Sequence, residues 1–185
     1  MDSNRKPVSM EEEFFAKENA KLLVALRRKS EKEEKRALLR EVVQIHDEKF
    51  LDRLLDMGIG PETAMALRLI PLVTVAWADG SLDDRERKAI LHAAEKQGMA
   101  GQEITHKLLE SWLRSKPSAE LLALWKSYVK GIWNRFSIDE QFTMRQNLLK
   151  SAREVAEAAG GFLGLTSKVS QAEREVLDDL DKVLS

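Results

Sequence analysis

Apolar residues recur at spacings of three and four along most of this chain, which is the period of an α-helix. No stretch alternates apolar and polar residues long enough to read as a strand. The pattern predicts eight helices. The first starts at Ser9, where Ser9 and Glu12 have the spacing of a capping box, and it carries Phe15, Leu22 and Leu26 on one face. The same spacing at Ser30 and Glu33 predicts a second helix, which buries Leu38, Val42 and Ile45 and then Phe50, Leu54 and Met57 before Gly58 and Gly60 end it.

Pro61 suits the first position of a third helix through Leu67, Ile70 and Val73 to Trp77, which Pro71 kinks or divides. Three further helices are expected at 84–97, 102–115 and 118–133. The last of these is apolar around much of its circumference and therefore the expected central one. A seventh begins near Ser137 with Glu140 as its capping partner and ends or bends at Gly160 and Gly161. Ser170 and Glu173 open an eighth. The expected division is a charged helical arm over 1–57, folded as a hairpin, and a helical domain over 58–185.

Sliding the chain against itself by 87 positions aligns Leu82-Asp83-Asp84-Arg85-Glu86-Arg87 with Val169-Ser170-Gln171-Ala172-Glu173-Arg174. In each copy an apolar residue precedes a capping Asp or Ser, and a Glu follows three positions later, so both read as corners between two helices. Two such hairpins can pack about a pseudo-twofold axis.

Charge and composition narrow the function. The chain has 30 Lys and Arg against 31 Asp and Glu. Neither 1–57, with 13 of each sign, nor the remainder is a basic arm, so a nucleic-acid partner is not expected. The run Glu31 to Arg36 interleaves both signs and reads as a solvated helix face. Cysteine is absent, which removes disulfides, thiolate zinc sites and cysteine nucleophiles. No apolar region follows the first charged residues, so no secretory signal is expected. The apolar stretch Ile70 to Ala78 falls far short of the roughly 20 residues that span a bilayer. A cytoplasmic protein without a transmembrane segment is the expectation.

The segment Val75-Ala76-Trp77-Ala78-Asp79-Gly80-Ser81-Leu82-Asp83-Asp84-Arg85-Glu86 resembles the Ala-Asp-Gly, apolar, acidic-x-x-Glu signature of TerB-like tellurite-resistance proteins. Lys168 to Arg174 resembles the matching C-terminal element. The family includes the N-terminal region of a membrane-anchored DnaJ-type co-chaperone. The resemblance spans about residues 60–185 and implies an all-α bundle with internal pseudo-symmetry. It also implies a divalent-cation site, of calcium or magnesium type, for which Asp79, Asp83 and Glu86 are the matching positions.

The same residues also serve as a helix corner: Gly80 takes the left-handed conformation, Asp79 accepts hydrogen bonds within the turn, Asp83 caps and Glu86 closes the box. Thr166 and Ser170 replace Asp79 and Asp83 in the second copy, so a metal site is one-sided. Ile90 stands where an EF-hand loop starting at Asp79 requires its final Glu.

Other chemistry is sparse. Glu103 and His106 match the Glu-x-x-His pattern of di-iron bundles, but His92 with Glu95 does not supply a second copy. His46-Asp47-Glu48 is expected on a solvated helix face. Gly160 to Gly164 lacks the context of a phosphate loop. Trp77, Trp112, Trp125 and Trp133 recur at helical spacing, as core residues do, and Trp77 beside the corner is the expected edge of any pocket. The expected function is a non-catalytic module for protein interaction or stress response. Its partner is a protein or a second copy met through the N-terminal helices. Ion sensing through the acidic corner is the alternative, and a metal-dependent enzyme built on Glu103 and His106 is a third reading.

Overall fold

Among the described residues the first buried one is Leu39, because the helix that carries it begins far outside the body of the protein. In the computed structural model, which describes residues 10–159 and 169–185, this helix is α1, Met10–Val43. It runs through Ser30 without a break. The flanking Arg, Lys and Glu are good helix formers, and neither Gly nor Pro interrupts them, so the Ser30–Glu33 spacing opens no second helix. The expected cap at Ser9 lies outside the described residues.

The break comes instead at Gln44, whose φ of 54° is left-handed, and Asp47 then caps α2, Glu48–Asp56, by accepting a hydrogen bond from the Phe50 N–H at 3.1 Å. His46 and Asp47 therefore lie between helices and not on a helix face. The break also sets which residues turn inward. Leu39 and Val43 are buried, and their neighbours Leu38 and Val42, the expected pair, are more than half exposed. Arg36 forks onto Asp52 at 2.8 and 3.3 Å and Lys32 reaches Asp56 at 2.9 Å, which holds α2 antiparallel against the end of α1. Phe50, Leu51 and Leu54 join the same core as Leu39 and Val43.

Gly58 ends α2 as expected, with a φ of 78°. Its N–H donates to the Leu55 carbonyl and that of Ile59 to Leu54, a Schellman arrangement that satisfies the last carbonyls. Pro61 lies in a turn and not at a helix start. The Thr63 hydroxyl accepts from the Gly60 N–H at 2.8 Å and donates to the Gly58 carbonyl at 2.9 Å, so the chain enters a 3₁₀ turn at Ala64–Leu69. Pro71 divides the expected third helix by starting a new one, α3, Ile70–Ala76, in whose first turn a missing amide hydrogen costs nothing.

Every residue of α3 except Thr74 is buried, which makes α3 the central helix. The expected centre, α6 (Ala119–Trp133), buries Leu121, Leu124, Trp125, Val129 and Ile132 but leaves Ala123, Ser127, Lys130 and Gly131 to solvent. α3 packs against α4 (Asp84–Ala94), α6, α7 (Ile138–Ala159) and α8 (Gln171–Val183), while α5 (Glu103–Arg114) packs on the 3₁₀ turn Ala64–Leu69. α4 continues into a wider π turn at Glu95–Met99 that Gly98 ends with a φ of 81°. Ser137 and Glu140 cap α7 reciprocally, as expected.

The chain is thus an all-α, multi-helix bundle. α3 packs on α7 and α8, and α7 packs on α3 and α4, the reciprocal pattern expected of two related hairpins. Gly160 and Gly161 lie outside the described residues. Among the described residues no helix is long and apolar enough to cross a membrane.

Candidate functional site

Both helix corners form the boxes their spacing predicts. Asp83 Oδ1 accepts from the N–H groups of Arg85 at 2.7 Å and Glu86 at 2.9 Å, and Glu86 Oε2 accepts from the Asp83 N–H at 2.9 Å. Ser170 Oγ accepts from the Glu173 N–H at 3.2 Å, and Glu173 Oε2 from the Ser170 N–H at 2.5 Å. Leu82 and Val169 pack against the core beside them, as hydrophobic staples do.

Gly80 adopts a φ of 93°, and Asp79 Oδ1 accepts from the N–H and hydroxyl of Ser81 at 3.0 and 3.1 Å. The Trp77 indole N–H donates to the Trp112 carbonyl at 2.9 Å, and Lys116 donates to the Trp77 carbonyl at 2.8 Å. The first corner is thereby tied to the end of α5.

The tertiary fold adds what self-alignment does not show. Glu86 and Glu173 are both buried, each 4% exposed. The Glu86 carboxyl is pushed up to about 7, first by burial and then by the charges of Asp83, Glu173 and Asp79, against the opposing effect of the Asp83 N–H that it accepts. Glu173 acts on it from the other hairpin, so the two buried glutamates lie within electrostatic reach of each other. Arg87 donates to the Leu113 carbonyl at 2.7 Å and Arg174 to that of Val169 at 2.9 Å.

For a divalent cation the donor set is a poor fit. Asp79, Asp83 and Glu86 each accept hydrogen from the backbone of their own corner. Among the described residues no three acidic or His side chains converge as a metal cage requires. Thr166 lies outside the described residues.

Glu103 and His106 do not face a second carboxylate across the bundle. Glu103 is exposed and pairs with Lys107 at 2.5 Å, while His106 lies 3.8 Å from Glu110 on its own helix. His92 is exposed beside Glu95. Gly160 to Gly164 lies outside the described residues.

Trp112 and Trp125 are buried and Trp77 and Trp133 half-buried. An apolar cavity of about 480 Å³ lies away from Trp77, among Leu72, Trp125, Tyr128, Ile132, Phe136 and Leu148. Burial raises the pKa of the Tyr128 hydroxyl there, partly offset by Arg68 and Arg135. Its walls come from several elements, so no single stretch of sequence announces it.

The exposed first half of α1 was legible as a pattern but not as a surface. Every residue from Met10 to Glu31 is exposed, including Phe14, Phe15, Leu22, Leu23, Val24 and Leu26. Comparison with protein-family models, with curated proteins and with solved structures gives no match to this chain.

Proposed function

We propose that this chain is a non-catalytic, TerB-like helical module for protein interaction, whose contact surface is the first half of α1. The observation that carries the reading is the helix Met10 to Glu31, exposed along its whole length with several large apolar side chains. Helices in proteins gain most of their stability by packing an apolar face, and this stretch leaves its apolar side chains exposed. Contiguous apolar residues on a monomer's surface mark contact sites. The paired corners support the TerB-like part of the reading, and the buried Glu86 and Glu173 serve there as helix caps.

Deleting residues 1–30 tests the proposal, because the cut falls ahead of Leu39, where the buried part of α1 begins. The expected result is an unchanged melting temperature with loss of association, measured by sedimentation and by recovery of bound protein from cells. Association that survives the deletion overturns the proposal.

A further inference from the structure

We infer that the first half of α1 pairs antiparallel with the same segment of a second copy, about a twofold axis between Ala20 and Lys21. The inference rests on the interaction reading above and names the partner.

Its first support is the seam. Glu12, Phe15, Asn19, Leu22, Leu26 and Lys29 follow one another at alternating spacings of three and four, the a and d positions of a heptad repeat. Phe15, Asn19, Leu22 and Leu26, the centre of the seam, are all exposed and open to a partner. An antiparallel pair sets each a residue against a d residue of the other helix. About the Ala20–Lys21 axis, Phe15 then meets Leu26 and Leu22 meets Asn19, each twice, and Ala16 flanks Leu23.

Its second support is charge. Glu11, Glu12 and Glu13 lie at one end of the segment and Arg27, Arg28 and Lys29 at the other. Glu12 and Lys29 are 17 residues apart, about 25 Å along the helix at 1.5 Å per residue. The antiparallel register closes both ends of the apolar seam with a Glu12–Lys29 layer. A parallel pair stacks acid on acid and base on base, so the charges select the antiparallel arrangement. A lipid surface fits less well, since membrane-surface helices concentrate Lys and Arg on their polar face, and this one interleaves Glu13, Lys17, Glu18 and Lys21.

The test is sedimentation of the full chain over a concentration series at low and high salt, with disulfide trapping in a protein that has no cysteine of its own. The expected result is a dimer that weakens with salt. L22E/L26E is expected to be monomeric with an unchanged melting temperature, since both side chains are exposed. E12K and K29E should each weaken the dimer by roughly tenfold, and E12K/K29E should restore it. A mixture of E12C and K29C chains should form the mixed disulfide, with neither forming a disulfide dimer alone.

A monomer at every concentration overturns the inference, as does E12C trapping itself, which signals a parallel pair. A monomer whose arm binds a different protein overturns self-pairing and leaves the interaction reading standing. A monomer that binds anionic vesicles through the arm, or one whose arm binds nothing, overturns both.

Discussion

The capping glutamates Glu86 and Glu173, one from each hairpin, are both buried, and the negative charge of Glu173 is one of the causes that hold the Glu86 carboxyl near 7. Each closes its own corner. Together they place two acids within electrostatic reach of each other, and the cost of that placement depends on pH.

Glu86 has a folded pKa of about 7 against an ordinary value of 4.5, so the folded chain binds its proton more tightly than the unfolded one. Between those values stability therefore falls as pH rises, by at most about 3 kcal/mol from this group. Glu86→Gln keeps a carbonyl to accept the Asp83 N–H and should abolish that slope, gaining on the order of 1 kcal/mol above pH 7. Urea denaturation across the window checks this, and parallel wild-type and variant curves would refute it. Glu173→Gln should lower the Glu86 pKa, read by carbon NMR of the side-chain carboxyl.

The caps should be separable from that acid pair. Ser170→Ala should cost about 1 kcal/mol, and Ser170→Asp should recover most of it. Asp83→Ala removes two accepted hydrogen bonds but also a charge that disfavours ionised Glu86. Its cost should accordingly be smaller above pH 7 than near pH 5, whereas a cap with no link to Glu86 predicts equal costs.

Metal binding at the first corner would have to compete with the hydrogen bonds already made. Calorimetry with calcium, magnesium and zinc is expected to give no heat that depends on Asp79. A signal present in the wild type and lost in Asp79→Ala would instead establish a site at Asp79, Asp83 and Glu86.

Adjacent residues on α1 should differ sharply. Leu39 is fully buried and Leu38 is 53% exposed. Leu39→Ala should cost about 2–5 kcal/mol, while Leu38→Ala should stay within about 0.5. Denaturation midpoints decide it, and comparable losses at both positions would place the inward face elsewhere.

Much of the fold was legible because its signals are local. The Asp83–Glu86, Ser137–Glu140 and Ser170–Glu173 spacings each open a helix, since a cap needs only the residues of one turn. Gly58 and Pro71 act through their own backbone. Ser30 with Glu33 has the same spacing and opens nothing, because a cap stabilises a break without causing one. Good helix formers carry α1 onward until Gln44, where the turn lets Leu39, Val43, Phe50, Leu51 and Leu54 share one core. The choice of Leu39 over Leu38 follows from where that turn falls.

By itself the sequence determined the helical class, the two related corners and the residues that cap them. Only the tertiary structure decided that α3 is the centre, that the first half of α1 stands clear of the body, and that Glu86 and Glu173 lie within electrostatic reach of each other. Capping is a contact within one turn, whereas burial and the repulsion between charges depend on distances through space, which no spacing along the chain supplies.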